Sequence, residues 1–184
     1  MTIRQPHKDR RIRGVALMLA AGGILSFGAA CGHPSDRSLA SNFYRNQASF
    51  SRLLQMAATE KSVVRIDPRF TCCPPVYADP LVPQQGPPNE GRLSGPRWEE
   101  YRALFRELGL KDGISKLGGG RVAFLASSVG IVNRGSSKGY LYSKAPPAPL
   151  IESLDDRSPG PCSVQRDCDV YKRLTGNWYL FFNR

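Results

Sequence analysis

A proline-rich segment interrupts this chain of 184 residues and limits what can fold through its middle. Eight of the fifteen prolines lie between Pro68 and Pro96. Proline has no backbone N–H to donate and clashes inside a helix, so neither a helix nor a sheet ladder can run through this stretch. We predict a long loop over residues 68–96. The adjacent Cys72 and Cys73 favour a pinned loop over a flexible linker, and a polyproline recognition surface is the alternative.

Two helix patterns flank this loop. After Ser38, apolar residues recur every three to four positions, which predicts a helix that begins at Ser38 as N-cap and runs to about Glu60. Residues 97–108 place aromatic side chains on one face and are followed by Gly109, which predicts a second helix that ends there. Residues 62–67 are typical of a short strand.

After Gly118–Gly120 the pattern is typical of strands. Short β-rich segments are separated by Gly, Ser and Pro, at residues 121–128, 131–133, 138–143, 150–154 and 178–182. Residues 133–137 have the composition of a hairpin loop. Every residue of 178–182 is apolar, which predicts a strand covered on both faces. The fold class is therefore α+β: an antiparallel sheet of about five strands covered by two helices, with a long Pro-rich loop.

The N-terminal segment has the composition of an export signal. Five basic residues precede an uncharged run from Gly14 to Ala30, which ends at Cys31. At about 1.5 Å per residue, this run spans roughly 25 Å as a helix, less than the ~30 Å hydrocarbon core of a membrane. Residues 1–30 are therefore predicted to be a cleaved signal peptide.

The residues around the cleavage site, Gly28–Ala29–Ala30–Cys31, resemble the lipobox of bacterial lipoprotein precursors. The resemblance implies a lipid, such as palmitate, on Cys31, a lipid-anchored tether over 31–37 and one domain over 38–184. It also implies a cell-envelope location facing the periplasm, and Gly32 in place of an aspartate favours the outer membrane. Residues 121–184 resemble small uncharacterised envelope lipoproteins, which implies no activity. A soluble periplasmic or secreted protein and an uncleaved anchor are the alternatives.

The cysteine count agrees with export. Lipidation of Cys31 would leave four cysteines, Cys72, Cys73, Cys162 and Cys168, and four can pair. Their spacing does not match a zinc site, whereas an oxidising compartment permits disulfides. We expect the 72/73 site to pair over a long range with 162 or 168, which would stabilise the fold by roughly 4 kcal/mol, against ~2.4 kcal/mol for a local bond between 162 and 168.

Candidate catalytic groups are few. His7 lies in the predicted signal and His33 in the predicted tether, so we expect no histidine in the folded body and no triad or His-ligated metal. We predict no catalytic, cofactor-binding or metal-binding residues. The one acidic cluster could support an alternative function as a small envelope hydrolase; it comprises Glu152, Asp155, Asp156, Asp167 and Asp169.

Charge suggests the class of partner. The net charge of +11 falls to +7 when the signal is removed, which favours contact with anionic envelope polymers or lipid headgroups. No nucleic-acid-binding motif is present. The sequence therefore predicts a lipid-anchored cell-envelope protein that acts by binding or structural support. Its predicted partners are the membrane, through the lipid, and an anionic envelope polymer or another envelope protein.

Overall fold

A computed structural model describes residues 32–61, 63–72, 93–131, 134–155, 162 and 168–184. These residues form three helices and one antiparallel sheet of seven strands. The α+β prediction is confirmed, although the sheet has two strands more and the fold one helix more than expected. The predicted signal over 1–30, Cys31 and residues 73–92 of the Pro-rich segment lie outside the described residues.

Two helices replace the single helix predicted over 38–60. Helix α1 spans Asp36–Arg45 and helix α2 spans Gln47–Thr59. Ser35, rather than Ser38, caps α1, and its hydroxyl accepts a hydrogen bond from the Ser38 N–H. The break falls at Asn46, whose side-chain amide donates to the Asn42 carbonyl at 3.1 Å. A side chain that binds the preceding turn in this way competes with the helical backbone bonds.

Helix α3 spans Gly95–Leu108 and agrees closely with the prediction. The Ser94 hydroxyl accepts a hydrogen bond from the Arg97 N–H and begins the helix. Gly109 ends it in a left-handed conformation with φ of 66°, which glycine adopts without steric cost. The aromatic stripe is buried, since Trp98, Tyr101 and Phe105 all face the core.

The strand order in the sheet is β2-β1-β3-β4-β5-β7-β6. The strands are β1 (Arg65–Ile66), β2 (Thr71–Cys72), β3 (Ile114–Leu117), β4 (Arg121–Ile131), β5 (Arg134–Tyr142), β6 (Asp169–Thr175) and β7 (Trp178–Asn183). Prediction missed β2, β3 and β6, and β2 lies inside the stretch predicted as a loop over 68–96, where Thr71 and Cys72 pair with β1. Residues 134–137, predicted as loop, belong to β5, and residues 150–154 make only one bridge, between Leu150 and Tyr171.

A bulge in β4 bends the longest strand pair. Its register against β5 shifts between Leu125 and Ser127. Opposite the bulge, Gly139 lies so close to β4 that a Cβ atom would stand 2.0 Å from the Phe124 carbonyl oxygen. Only glycine fits there. Beyond the bulge, Ser127 pairs with Lys138, and directly paired residues share one face of a sheet.

Both faces of the sheet carry buried residues in its central strands. The helices cover one face, where Phe43, Phe50, Phe105, Phe124 and Tyr140 belong to the main cluster. A second cluster on the other face comprises Ala123, Leu125, Leu141, Tyr171, Tyr179 and Phe181. Strand β7 contributes alternate residues to each, so the prediction of a strand covered on both faces is confirmed. Within the described residues, the helices lack the length and apolar character to cross a membrane.

Candidate functional site

A groove lies between the C-terminal ends of α1 and α3. Its volume is about 540 Å³, within the roughly 300–1,000 Å³ that is usual for small-molecule sites. Three exposed cations line it: Arg45, Arg106 and Lys111. The two arginines lie in the last turns of α1 and α3, where a positive charge offsets the partial negative charge of a helix end. We call this feature the basic groove.

The cations of the basic groove have no acidic partner in the part of the chain that the structure describes. Within the described residues, none of the three forms an ion pair, whereas four other arginines do: Arg65, Arg69, Arg97 and Arg102. The one carboxylate among the lining residues belongs to Glu107, which accepts a hydrogen bond from the Ser49 hydroxyl at 2.5 Å. The groove therefore carries an excess positive charge that an anion could neutralise.

Hydrogen bonds connect the elements that line the groove. Asn42 donates from its side-chain amide to the Leu108 carbonyl at 2.9 Å and to the Tyr140 oxygen at 3.0 Å. The Tyr140 hydroxyl in turn donates to the Leu39 carbonyl at 3.1 Å. Burial raises the pKa of Tyr140 to about 12, against a smaller opposing effect of the Asn42 bond, so the phenol stays protonated at neutral pH. These bonds join α1, α3 and β5 beneath the cations.

His33 also lines the groove. Its Nδ1 lies 2.7 Å from the Ser127 hydroxyl and its Nε2 lies 2.7 Å from the Ser136 hydroxyl. Its ring meets Phe182 edge-on at 5.6 Å between centroids. Burial, and then the charge of Lys138, lower the pKa of His33. The imidazole is therefore neutral at pH 7, with one nitrogen donating and the other accepting.

This position corrects the expectation that His33 belongs to a flexible tether. Residues 36 and 37 are already in α1, and His33 is bonded to two strands of the sheet. A histidine thus does pack into the folded body. Both ring nitrogens are taken by serine hydroxyls, and no carboxylate among the described residues orients the ring. The arrangement fixes the chain but does not assemble a catalytic triad.

A buried network of charged side chains lies close enough to His33 for the charge of Lys138 to act on it. The side chain of Lys138 is 2 % exposed, and its Nζ lies 2.8 Å from Asp36 Oδ1 and 2.9 Å from Asp155 Oδ1. The contact with Asp36 Oδ1 is ionic, because that oxygen accepts no hydrogen bond. Asp36 Oδ2 accepts hydrogen bonds from Lys172 at 3.0 Å and from the Leu154 N–H at 2.9 Å. The network fastens the start of α1 to β5 and β6.

Two of the three described cysteines form a local pair. Cys162 is bonded to Cys168, so the prediction of disulfides is supported but the expected long-range pairing is wrong. Cys72 is also disulfide-bonded, and the other candidate, Cys73, lies outside the described residues, as does Cys31. The local bond joins two cysteines that are six residues apart in the sequence, and Cys168 directly precedes β6.

The described acids of the predicted cluster serve separate contacts. Asp155 binds Lys138 and also accepts a hydrogen bond from the Asp36 N–H at 2.6 Å. Asp169 accepts a hydrogen bond from Asn183 across the β6–β7 pair. Glu152 is exposed, and Asp156 and Asp167 lie outside the described residues. Asp155 and Asp169 thus hold different parts of the fold together.

Only weak signals for the basic groove are present in the sequence. Arg106 stands near the end of an apolar periodic pattern, a position that favours cations on any helix, whereas Arg45 falls inside the single helix predicted over 38–60. Nothing in the sequence indicates that the two helix ends meet. Comparison of the chain with protein-family models, with curated proteins and with solved structures finds no match.

Proposed function

We propose that this chain is a lipid-anchored cell-envelope protein that acts by binding, and that its basic groove holds the anionic headgroup of a membrane lipid. The observation that carries the proposal is the set of three cations, Arg45, Arg106 and Lys111, which line one groove and have no acidic partner among the described residues. A phosphate group would accept hydrogen bonds from two guanidinium groups and one ammonium.

The location of His33 supports a membrane partner over a soluble one. His33 lines the basic groove and follows Cys31, the proposed site of lipidation, by two residues. Two residues extend over roughly 7 Å at most. A lipid on Cys31 would therefore hold His33, and with it this part of the groove lining, within roughly 7 Å of the point of attachment at the bilayer surface, where headgroup phosphates are concentrated.

Electrostatics at this distance are substantial. A basic residue close to an anionic bilayer contributes about 1 kcal/mol, so the three cations together contribute about 3 kcal/mol. This attraction acts within a Debye length of roughly 10 Å at 0.1 M salt. The anchor would supply attachment, and the groove would orient the domain and select anionic headgroups.

Native mass spectrometry of the full chain in a neutral detergent tests the proposal. Phosphatidylglycerol and phosphatidylcholine are titrated separately, and the bound lipids are counted. We expect one phosphatidylglycerol to be retained, and the triple variant R45Q/R106Q/K111Q to lose it, with affinity falling about 100-fold for 3 kcal/mol. The matched control is R52Q/K61Q/R173Q, which removes the same charge from exposed positions elsewhere.

Several results would overturn the proposal. Equal loss of lipid in the test and control variants would show that only net charge matters. Equal retention of the two lipids would remove the role of the anionic headgroup. Binding of an anionic polysaccharide without phosphatidylglycerol would assign the groove to an envelope polymer instead. The intact mass of wild type and Cys31→Ser tests the anchor independently, since only the wild type should carry acyl mass.

A further inference from the structure

The two longest strands of the sheet extend past their neighbours at one end. Strands β4 and β5 pair with each other to the ends of both strands. On their other edges the ladders stop earlier, since β3 reaches only Phe124 of β4 and β7 reaches only Ser137 of β5. Residues 128–131 and 134–136 therefore form a two-stranded ribbon, and no third strand among the described residues pairs with it. We call this feature the β4–β5 ribbon.

The β4–β5 ribbon is long enough to enter the surface of a bilayer. Its four residues from β4 span roughly 13 Å at about 3.3 Å per residue. Interfacial segments bury their apolar side roughly 5–10 Å deep, at the boundary between the headgroups and the acyl chains. The ribbon could therefore reach this boundary while the rest of the sheet stays outside the bilayer.

Val129 gives one face of the ribbon an exposed apolar side chain. It is 45 % exposed, and it pairs with Ser136. Directly paired residues share one face of a sheet, and the Ser136 hydroxyl is bonded to His33, so Val129 lies on the face that carries His33. The next pair, Gly130 and Gly135, belongs to the opposite face and presents no side chain there. The ribbon thus has one apolar face, and this face is turned to the side where His33 docks.

His33 brings the proposed lipid anchor to the base of the ribbon. Its two ring nitrogens each lie 2.7 Å from a serine hydroxyl, of Ser127 and of Ser136. Cys31 precedes His33 by two residues, a separation of roughly 7 Å at most. A lipid on Cys31 would therefore place the bilayer surface beside the ribbon. This continuity with the anchor favours a membrane as the occupant of the apolar face over a protein partner.

We infer that the β4–β5 ribbon inserts into the bilayer beside the lipid anchor, with Val129 at the boundary between the headgroups and the acyl chains. Removal of an apolar side chain from water is favourable in proportion to the area covered. The outer edges of the ribbon have no strand partner within the described ranges, which fits the hydrated interface, because the hydrocarbon core does not tolerate unpaired peptide groups. The inference rests on the lipid anchor of the proposed function but not on the basic groove.

Tryptophan quenching in nanodiscs tests the inference. The full chain is reconstituted in phosphatidylcholine that carries bromine near the top of one acyl chain, and in the same lipid without bromine. Val129→Trp is the probe. Leu117→Trp is the matched control, because Leu117 is also an exposed aliphatic strand residue, at 39 %, and lies at the opposite end of the β4 ladder. The wild type corrects for Trp98 and Trp178.

We expect bromine to reduce the added fluorescence of V129W roughly two-fold or more, as for a side chain at the interfacial boundary, and to leave that of L117W unchanged. Far-ultraviolet circular dichroism confirms that both variants are folded. Photocrosslinking of the wild type needs no substitution. With a diazirine near the top of one acyl chain of phosphatidylcholine, lipid should be attached to the peptide that contains residues 128–136 and not to residues 117–121.

The acyl mass on Cys31 is measured in the same samples, which separates this inference from the proposed function. Quenching of V129W no stronger than that of L117W, in an acylated chain, would overturn the inference and leave the basic groove intact. Crosslinks from the ribbon to a second copy of the chain, in place of lipid, would assign Val129 to a protein interface and also overturn it. A chain without acyl mass whose V129W is not quenched would overturn both the anchor and the inference.

Discussion

Replacing the buried Lys138 by methionine should destabilise the protein strongly. The substitution keeps the length of the side chain but removes an ammonium that lies within 3.0 Å of two carboxylates and the Leu154 carbonyl. Asp36 would remain 4 % exposed with its charge only partly compensated. Breaking a buried ion pair in this way typically costs about 3–5 kcal/mol.

The partners that remain place the expected cost at the lower end of that range. After the change, Asp36 keeps the Lys172 contact at 3.0 Å and the Leu154 N–H at 2.9 Å. The side chain of Asp155 is 45 % exposed, so water can replace the lysine there. We expect a loss of about 3 kcal/mol in the free energy of unfolding, or roughly 6–12 °C in melting temperature for a domain of this size.

Urea unfolding at pH 7, followed by tryptophan fluorescence, measures this change. Lys172→Met is the control, because Lys172 is one-third exposed and binds the same carboxylate; exposed ion pairs contribute at most about 1 kcal/mol. In the Lys138→Met background, Asp36→Asn should recover stability, since it removes the uncompensated charge. Equal losses in the two lysine variants, or further loss in the double variant, would refute the reasoning.

The same network predicts acid sensitivity. Burial raises the pKa of Asp36, but the hydrogen bond from the Leu154 N–H, the ammonium of Lys138 at 2.8 Å and the hydrogen bond from Lys172 outweigh it, so the net pKa is lowered. A lowered pKa stabilises the folded state above the unfolded value of about 3.9, and this contribution is lost as the pH falls through the folded value. Asp36→Asn should therefore flatten the stability profile below about pH 4.

Three further outcomes are expected from urea unfolding. Because the pKa of His33 is lowered in the folded chain, the free energy of unfolding should fall as the pH drops below about 6.5. His33→Gln should remove that part of the pH dependence. An unchanged pH dependence in this variant would contradict the lowered pKa of His33. Gly139→Ala should lower the free energy of unfolding by at least ~2 kcal/mol, because the added Cβ clashes with β4. Gly135→Ala should lower it far less, because the nearest atom to its Cβ is 3.6 Å away. Similar losses in the two variants would count against the bulge geometry. Phe50→Ala should cost about 3–5 kcal/mol, since Phe50 is fully buried, and a loss under 1 kcal/mol would contradict that packing.

Local sequence patterns predicted those helices and strands whose own residues include caps, an apolar stripe or an apolar run. Helix α3 has a serine cap, an aromatic stripe and a terminal glycine, and strand β7 is apolar throughout. Strands β3 and β6 were missed because their sequences, ISKL and DVYKRLT, mix polar and apolar residues. Both are held in the sheet by neighbouring strands rather than by their own composition, since strand propensity depends on packing context.

The sequence by itself determined the α+β class, because helix periodicity, caps and the two-faced strand are local properties of the chain. Only the tertiary structure decided where His33 lies, since its partners Ser127 and Ser136 are 94 and 103 residues away along the chain. The basic groove was decided in the same way. Helix ends and strand turns meet according to strand order and register, and the side chains of a single segment do not encode those long-range contacts.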